Sequence, residues 1–186
     1  MKLYTKKGDT GITHLYDGQT LDKNHEIFQL LGKIDECNVQ IGRLRINSDN
    51  NNILLSIQKF LMNISSYIAT VEYRKFLSLP EISLTVEEIE KLIDDYDSKC
   101  NSLTGFIIPG TCEQEINAHQ CRVLIREIER LYLLHIKSEI LLFKAEIRTK
   151  LESFLPILNR LSDFFFVYAR VFSVLNCKTE ILLENL

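Results

Sequence analysis

Apolar residues recur every three or four positions along most of the chain, a spacing that indicates amphipathic helices. The first run begins after His25 and contains Ile27, Leu30, Leu31, Ile34, Ile41 and Leu44. A second run extends from near Asn52 to Tyr73 and is ended by Ser78–Ser83, which contains Pro80. The pattern therefore predicts two helices, preceded by residues 1–22, where no period is sustained.

Three further helices follow in the second half of the chain. Thr85-Val86-Glu87-Glu88 has the form of a capping box and opens a third helix to about Ser98. The fourth is predicted over Glu113 to Ile136 and the fifth from near Ser153 to Asn176. The stretch Lys137–Glu152 fits either neighbour. We predict an all-α fold, a five-helix bundle in one domain over residues 1–186, with an arm (1–22) before the bundle (23–186).

Composition agrees with a helical fold and narrows the class of partner. Only 7 Gly and 3 Pro occur in 186 residues, too few turn formers for a many-stranded β protein. The net charge of -3 gives no support to a nucleic-acid partner. No run of about 18 apolar residues is present, so no membrane association is predicted.

The 5 cysteines are scattered, which is typical of reduced thiols in an intracellular protein. We expect a cytoplasmic protein, or an organelle-matrix protein if a presequence has been removed. Cys112, His119 and Cys121 lack a fourth ligand and match no standard zinc spacing, so zinc is not predicted.

The arm from Tyr4 to Thr13 has the residue types that bind polyphosphate. Its glycines let backbone N–H groups approach an anion, Lys6 and Lys7 add positive charge, and its threonines add hydroxyl donors. The P-loop pattern is absent. A solvated terminus rich in glycine and lysine explains the same composition, and both interpretations stay open at this point.

The fourth helix combines an arginine stripe with an apolar side. Arg122, Arg126, Glu129 and Arg130 fall within about a third of its circumference, with His119 in the same arc. The opposite side carries Cys121, Leu124, Ile125, Ile128, Leu131 and Tyr132. Three arginines on one stripe repel one another unless an anion or acidic partner neutralises them, so the stripe is either an anion site or a solvated charged face.

Two polar pairs lie beside apolar runs on other helices. Asp35 and Asn38 are one turn apart on the first helix, and an acid near a buried face needs a basic partner, for which the arginine stripe is the candidate. On the fifth helix Asn159 and Asp163 are four residues apart. Their oxygens suit Mg²⁺ or a nucleotide, but they could equally bond one another and cap neighbouring helices.

Together these segments resemble the propanediol-utilisation-type family of ATP:cob(I)alamin adenosyltransferases. The family patterns are Y-T-[KR]-x-G-D-x-G-x-T, a lysine followed by G-x-x-D-E-x-N, F-I-x-P-G, H-x-x-R-x-x-x-R-x-x-E-R and N-R-L-S-D-[YF]-x-F-x-x-A-R. Their counterparts in order are Tyr4–Thr13, Lys23 with Gly32–Asn38, Phe106–Gly110, His119–Arg130 and Asn159–Arg170. Five ordered motifs over nearly the whole chain are far more specific than any single one.

The resemblance implies transfer of the 5′-deoxyadenosyl group of ATP to cob(I)alamin, in a homotrimer whose sites lie between subunits. The residues expected to wrap the triphosphate are Thr5, Lys6, Gly8, Asp9, Gly11, Thr13 and Lys23. Those expected to hold the nucleotide and its Mg²⁺ are Arg126, Glu129, Arg130 and Asn159, with Asn159 a candidate metal contact. Asp35 and Arg122 would pair across the boundary, and Phe106 would press on the lower face of the corrin ring. Phe106, Arg126, Asp35 and Arg122 are thus the implied catalytic set.

The chemistry fits a chain without a protein nucleophile. Cob(I)alamin itself attacks C5′ of ATP, so the protein must align the reactants and stabilise the departing triphosphate. The expected protein partners are an adenosylcobalamin-dependent enzyme and a cobalamin reductase.

The sequence departs from the family at Leu31, Thr111 and Glu127 and in the longer stretch 137–152. Thr111 and Glu127 favour one alternative, an ATP-gated carrier of adenosylcobalamin with little turnover. A purely structural bundle is the other alternative, and it gives no reason for Phe106 within a loop bounded by glycine and proline.

Overall fold

Long helices dominate the computed structural model, which describes Tyr4 and residues 8–46, 51–70, 79, 81, 83–139 and 145–183. The helices are α1 (Glu26–Ile46), α2 (Asn51–Ile68), α3 (Val86–Asp97), α4 (Glu113–Glu139), α5 (Ala145–Glu152) and α6 (Phe154–Leu175). The strands are β1 (Ile12–His14), β2 (Thr20–Asp22), β3 (Ile107–Ile108) and β4 (Ile181–Leu182). None of the described helices combines the length and the apolar character needed to cross a membrane.

The five predicted helices correspond to α1, α2, α3, α4 and α6. The capping box is present: the Thr85 hydroxyl accepts the Glu88 N–H, and the Glu88 carboxylate accepts the Thr85 N–H at 2.9 Å. The second helix ends at Ile68 instead of near Tyr73, which, like Pro80, lies outside the described residues. The undecided stretch 137–152 contains the end of α4 and the separate short helix α5.

The predicted helical fold is confirmed, but the structure also has two short strand pairs that the sequence did not indicate. β1 and β2 form an antiparallel hairpin with Ile12 opposite Asp22, and β3 pairs with β4 with Ile107 opposite Leu182. Strands of two or three residues are too short to show the alternation that identifies a strand in a sequence. The arm therefore contains a hairpin, and the loop before α4 contains a strand.

The core lies where α6 packs against α3 and α4. Its largest fully buried side chains are aromatic: Tyr132, Tyr168, Phe60, Phe154, Phe164 and Phe165. α1 runs antiparallel to α4, since Lys33 lies near Glu127 and Arg43 near Glu113. α6 is also antiparallel to α4. The core therefore holds α4 between α1 and α6.

This arrangement gives the bundle two distinct ends. At the arm end, the start of α1 lies beside the last turns of α4, because Leu30 lines a cavity with Leu131 and Leu134. At the loop end, residues 98–112 lie beside the end of α6, where the hydroxyl groups of Thr111 and Ser173 are 2.7 Å apart. The predicted ATP arm and Phe106 are thus placed toward opposite ends of α4.

Candidate functional site

The arm hairpin brings together three of the residues predicted to bind triphosphate. The Lys23 N–H donates to the Gly11 carbonyl at 2.8 Å, and Gly11 has a φ of +82°, which favours glycine. A Cβ added to Gly8 would lie 3.0 Å from the Lys23 ammonium nitrogen. Glycine at position 8 therefore leaves room for the positive charge of Lys23 directly over the arm backbone.

The other arm residues are only partly described. Asp9 is exposed, and Thr13 lies in β1 opposite Leu21. Thr5 and Lys6 lie outside the described residues, so their predicted contacts with triphosphate remain predictions.

On α4 the exposed part of the arginine stripe consists of Arg126 and Arg130. Neither makes a hydrogen bond or an ion pair with another described residue. The apolar side of the helix is as predicted, with Cys121, Leu124, Ile125, Ile128 and Tyr132 buried and Leu131 half-buried. Within the described part of the chain these two neighbouring cations have no acidic partner and are available to an anion.

Glu129 and Asn159 form part of a polar network that crosses from α4 to α6. The Asn159 side-chain amide donates to Glu129 Oε1 at 3.0 Å, and its Oδ1 accepts from Arg160 at 2.9 Å. Arg160 also donates to Glu90 on α3 at 2.8 Å and lies 3.6 Å from Asp163. The sequence left open whether Asn159 and Asp163 bond one another or serve a metal or nucleotide. No bond between them is observed, and both side chains contact Arg160 instead.

The oxygens of Glu129 and Asn159 suit a magnesium ion carried by ATP. The described residues contain no group of three or more His, Cys, Asp or Glu able to hold a metal, and Glu129 Oε2 has no partner among them. Mg²⁺ is commonly bound by one or two carboxylates together with substrate phosphates and water. One carboxylate beside two arginines fits that mode better than an all-protein metal site.

Phe106 is held by its backbone while its side chain is in solvent. The ring is 79% exposed, and the Phe106 carbonyl accepts the Leu183 N–H at 2.9 Å. β3 begins at the next residue and pairs with β4. A core-filling role for Phe106 is therefore excluded, and the ring is free to contact a ligand.

Glu115 is a site residue that the sequence reasoning missed. Its side chain is buried, at 1% exposure, and Oε2 accepts the N–H groups of Gly110 and Thr111, each at 2.9 Å. The carboxylate thereby fixes the end of the Phe106 loop on α4. An acidic residue in the first turn of a helix directly after Pro-Gly was the available signal.

His119 lies between Glu115 and Arg122 and is buried, whereas Arg126 and Arg130 of the same arc are exposed. Its Nδ1 accepts from Arg122 Nε at 3.2 Å, and its Nε2 lies 3.4 Å from Glu115 Oε1 without hydrogen-bond geometry. Burial, and secondarily the Arg122 charge, lower the pKa of His119, so the ring is neutral near pH 7. Glu115, His119 and Arg122 form one row from the loop to the middle of α4.

Asp35 and Arg122 are not paired within the chain. Asp35 is exposed on α1 and has no hydrogen bond or ion pair with another described residue, while Arg122 contacts His119. Burial, and after it the charge of Arg126, lower the pKa of Arg122, although the guanidinium stays charged. Their pairing across a subunit boundary stays a prediction.

Two departures from the family pattern have partners within the chain. Glu127 lies 3.4 Å from Lys33 on α1, and Lys33 also contacts Glu36 at 2.9 Å. The Thr111 hydroxyl bonds with Ser173, and its N–H donates to Glu115. Both side chains therefore have polar partners within the fold.

Replacing Glu115 with alanine is expected to lower the free energy of unfolding by about 2–4 kcal/mol, because the N–H groups of Gly110 and Thr111 lose a buried, charged acceptor. Urea unfolding measures this loss. Glu113→Ala is the matched control on the same turn, since it removes only an exposed ion pair with Arg43, which contributes about 0–1 kcal/mol. Equal midpoints for the two variants would contradict the role given to Glu115.

Comparison with known proteins identifies the family of this chain. The sequence model of the family described as "Cobalamin adenosyltransferase" matches residues 3–172. A corrinoid adenosyltransferase of Bacillus subtilis (strain 168) is 38% identical over 178 residues, 92% of this chain and 86% of that protein. Corrinoid adenosyltransferase MMAB of Homo sapiens is 30% identical over 183 residues, 91% of this chain and 68% of that protein. A variant PduO-type ATP:corrinoid adenosyltransferase from Lactobacillus reuteri, complexed with cobalamin and ATP, has a TM-score of 0.82 at 26% identity, covering 99% of this chain and 97% of that one. The chain belongs to the cobalamin adenosyltransferase family.

Proposed function

We propose that this protein transfers the 5′-deoxyadenosyl group of ATP to cob(I)alamin, releasing triphosphate and forming adenosylcobalamin. The observation that carries the proposal is Phe106, an aromatic ring held in solvent by paired backbone on a chain of this family. An exposed aromatic ring on a fixed backbone suits contact with the flat, apolar face of a corrin. Its partners are therefore two small molecules, ATP and cobalamin.

The reaction needs positioning and charge stabilisation from the protein. The Co(I) centre of the substrate attacks C5′, a Co–C bond forms, the C5′–O bond breaks, and the electron pair leaves on triphosphate. Arg126, Arg130 and Lys23 supply positive charge for that leaving group. Mg²⁺ carried by the phosphates would add further charge neutralisation, and Glu129, whose carboxylate accepts from Asn159, is the residue that would hold it.

Phe106 contributes by excluding a ligand from cobalt. An apolar ring against the lower face of the corrin displaces the axial base, and loss of that ligand makes reduction to Co(I) easier. The ring's exposure and the hydrogen bond that fixes its carbonyl support this role.

We also place the active site between the subunits of a homotrimer. Glu115, which holds the Phe106 loop, and Glu129, in the predicted nucleotide site, lie about 20 Å apart along α4, at about 1.5 Å of rise per residue. Cobalt and C5′ must come into contact, so a second chain is the natural source of one half of the site. Asp35 would then form an ion pair with Arg122 of a neighbouring subunit.

An exposed apolar surface on α1 and α4 supports this assembly. Val39 and Ile46 are 75% and 83% exposed on the Asp35 side of α1, and Val123 is 52% exposed on α4. Val39 and Val123 are each one turn from a residue of the α1–α4 ion pairs, Arg43 and Glu127, so both face the same outer surface. Exposed apolar side chains that share one face of two packed helices are typical of an interaction surface.

Light scattering is expected to show a homotrimer for the unmodified protein and a smaller species for Val39→Asp, because the substitution places a charge in the apolar surface. Leu175→Asp is the control, since Leu175 is 70% exposed at the end of α6, away from that surface. A stable monomer of the unmodified protein at micromolar concentration would remove the intersubunit site.

The decisive assay for the function mixes reduced cobalamin with ATP and measures adenosylcobalamin and triphosphate. Turnover supports the enzyme, whereas tight binding of both ligands without product supports the carrier alternative that Thr111 and Glu127 favour. The chemistry also calls for a reductase that supplies Co(I) and an enzyme that uses the product, in an intracellular compartment that keeps the thiols reduced.

A further inference from the structure

Arg170 closes the last family motif, and the function described so far gives it no role. Its side chain is only 3% exposed, at the loop end of α6. A buried guanidinium is costly unless its charge and its N–H donors have partners. The identity of those partners therefore indicates what Arg170 holds in place.

The Arg170 guanidinium connects three separate parts of the loop end. Its Nε and one terminal nitrogen donate to the two carboxylate oxygens of Glu180 at 2.8 and 3.2 Å, a bidentate pair. The other terminal nitrogen donates to Asp97, the last residue of α3, at 3.2 Å. A further bond reaches the carbonyl of Asn101 at the start of the Phe106 loop. Glu180 is the partner that belongs to the C-terminal segment, residues 177–183.

The C-terminal segment leads directly to Phe106. The chain reverses after α6 at Cys177, whose φ is +52°, and Lys178 N–H donates to the Ser173 carbonyl. Glu180 immediately precedes β4, which pairs with β3, and Leu183 N–H then donates to the Phe106 carbonyl. Since the Phe106 ring is exposed, its position is set by this backbone pairing.

We propose that Arg170 and Glu180 are positioning residues: their bidentate ion pair anchors the C-terminal segment, and the segment fixes the Phe106 ring for the corrinoid through β4. This inference rests on the proposed corrinoid role of Phe106. It assigns a task to two residues that touch neither substrate, and it makes the C-terminal segment part of the corrinoid site.

Glu180→Gln tests the anchor while leaving Arg170 its bonds to Asp97 and Asn101. The KM for cobalamin is expected to rise about tenfold, the factor that corresponds to one lost charge-assisted hydrogen bond, with the KM for ATP unchanged. The four-coordinate signature in the spectrum of bound cob(II)alamin should weaken in parallel. Asp95→Asn is the control, because it breaks an exposed ion pair with Lys99 at the same end of α3 without touching the C-terminal segment.

A second pair of variants tests the link from the segment to Phe106. Leu183→Pro removes the N–H that donates to the Phe106 carbonyl, whereas Leu183→Ala keeps it, and Leu183 is 55% exposed. The proline variant should reproduce the Glu180→Gln effect on the cobalamin KM and exceed the alanine variant. Equal effects of proline and alanine would overturn the proposal.

Hydrogen exchange separates this inference from the proposed function. Amides at residues 106–108 should exchange faster in Glu180→Gln than in the unmodified protein, whether or not the protein turns over. An unmodified protein that makes no product would refute the function while leaving this anchoring measurable. Faster exchange with an unchanged cobalamin KM and cob(II)alamin spectrum, or an equal rise in both KM values, would overturn the positioning role.

Discussion

Phe106→Ala is expected to reduce adenosylation by about 100-fold, equivalent to about 2.7 kcal/mol of transition-state stabilisation, while ATP affinity stays nearly unchanged. An aromatic side chain that becomes buried against a ligand commonly contributes about 2–4 kcal/mol to binding. The ring is 79% exposed without ligand, so its removal takes nothing from the core. Activity and the spectrum of bound cob(II)alamin measure the effect, and the four-coordinate signature should disappear.

Thermal unfolding tests the alternative explanation that Phe106→Ala loses activity because the protein is destabilised. Truncating a buried phenylalanine costs about 3–5 kcal/mol, whereas this variant should unfold close to the unmodified protein. Leu103→Ala is the matched control, since Leu103 is a 49% exposed apolar residue in the same loop. A large loss of stability together with normal activity per folded molecule would show that the corrinoid site has been placed wrongly.

Arg126→Ala and Asn159→Ala should each lower kcat/KM for ATP by the equivalent of about 2–5 kcal/mol, the usual cost of truncating one partner in a charged hydrogen-bond network. Arg126 is a cation on the α4 stripe with no hydrogen bond or ion pair to another described residue, and Asn159 donates to the Glu129 carboxylate at 3.0 Å. Arg160 keeps Glu90 when Asn159 is removed, so the link between α3 and α6 persists.

The control for Arg126→Ala is Lys137→Ala, which removes an exposed cation from the same side of α4 three turns further on. Initial rates at limiting ATP distinguish the variants, and the spectrum of bound cob(II)alamin should be normal in all three. Near-normal rates for both Arg126→Ala and Asn159→Ala would place the nucleotide elsewhere.

The helices and the exposed cations were predictable because they depend on local periodicity. An apolar residue every three or four positions identifies α1, α4 and α6, and the same geometry puts Arg126 and Arg130 on one side of α4. The Phe106 loop was also predictable from local sequence, because glycine and proline are scarce in this chain and Gly105 and Pro109 flank the loop segment.

Other features depended on contacts between distant parts of the chain and carried no such periodic signal. Glu115 is important only because the amides of Gly110 and Thr111 turn toward it, which the order of residues does not reveal. His119 has the spacing of the stripe but is buried beside Phe166. β3 (Ile107–Ile108) and β4 (Ile181–Leu182) are far apart in the sequence, and each strand has only two residues. Their pairing therefore could not be predicted.

The pairing of β3 with β4 also bears on the thermodynamics of corrinoid recognition. A binding loop that orders only when its ligand arrives reduces affinity by the conformational entropy lost at that step. Here the backbone of Phe106 is already fixed by Leu183, and Glu115 fixes the far end of the loop at Gly110. The conformational entropy of the Phe106 loop is therefore lost when the protein folds and not when the ligand binds. Almost all of the free energy of contact between the ring and the ligand then contributes to affinity.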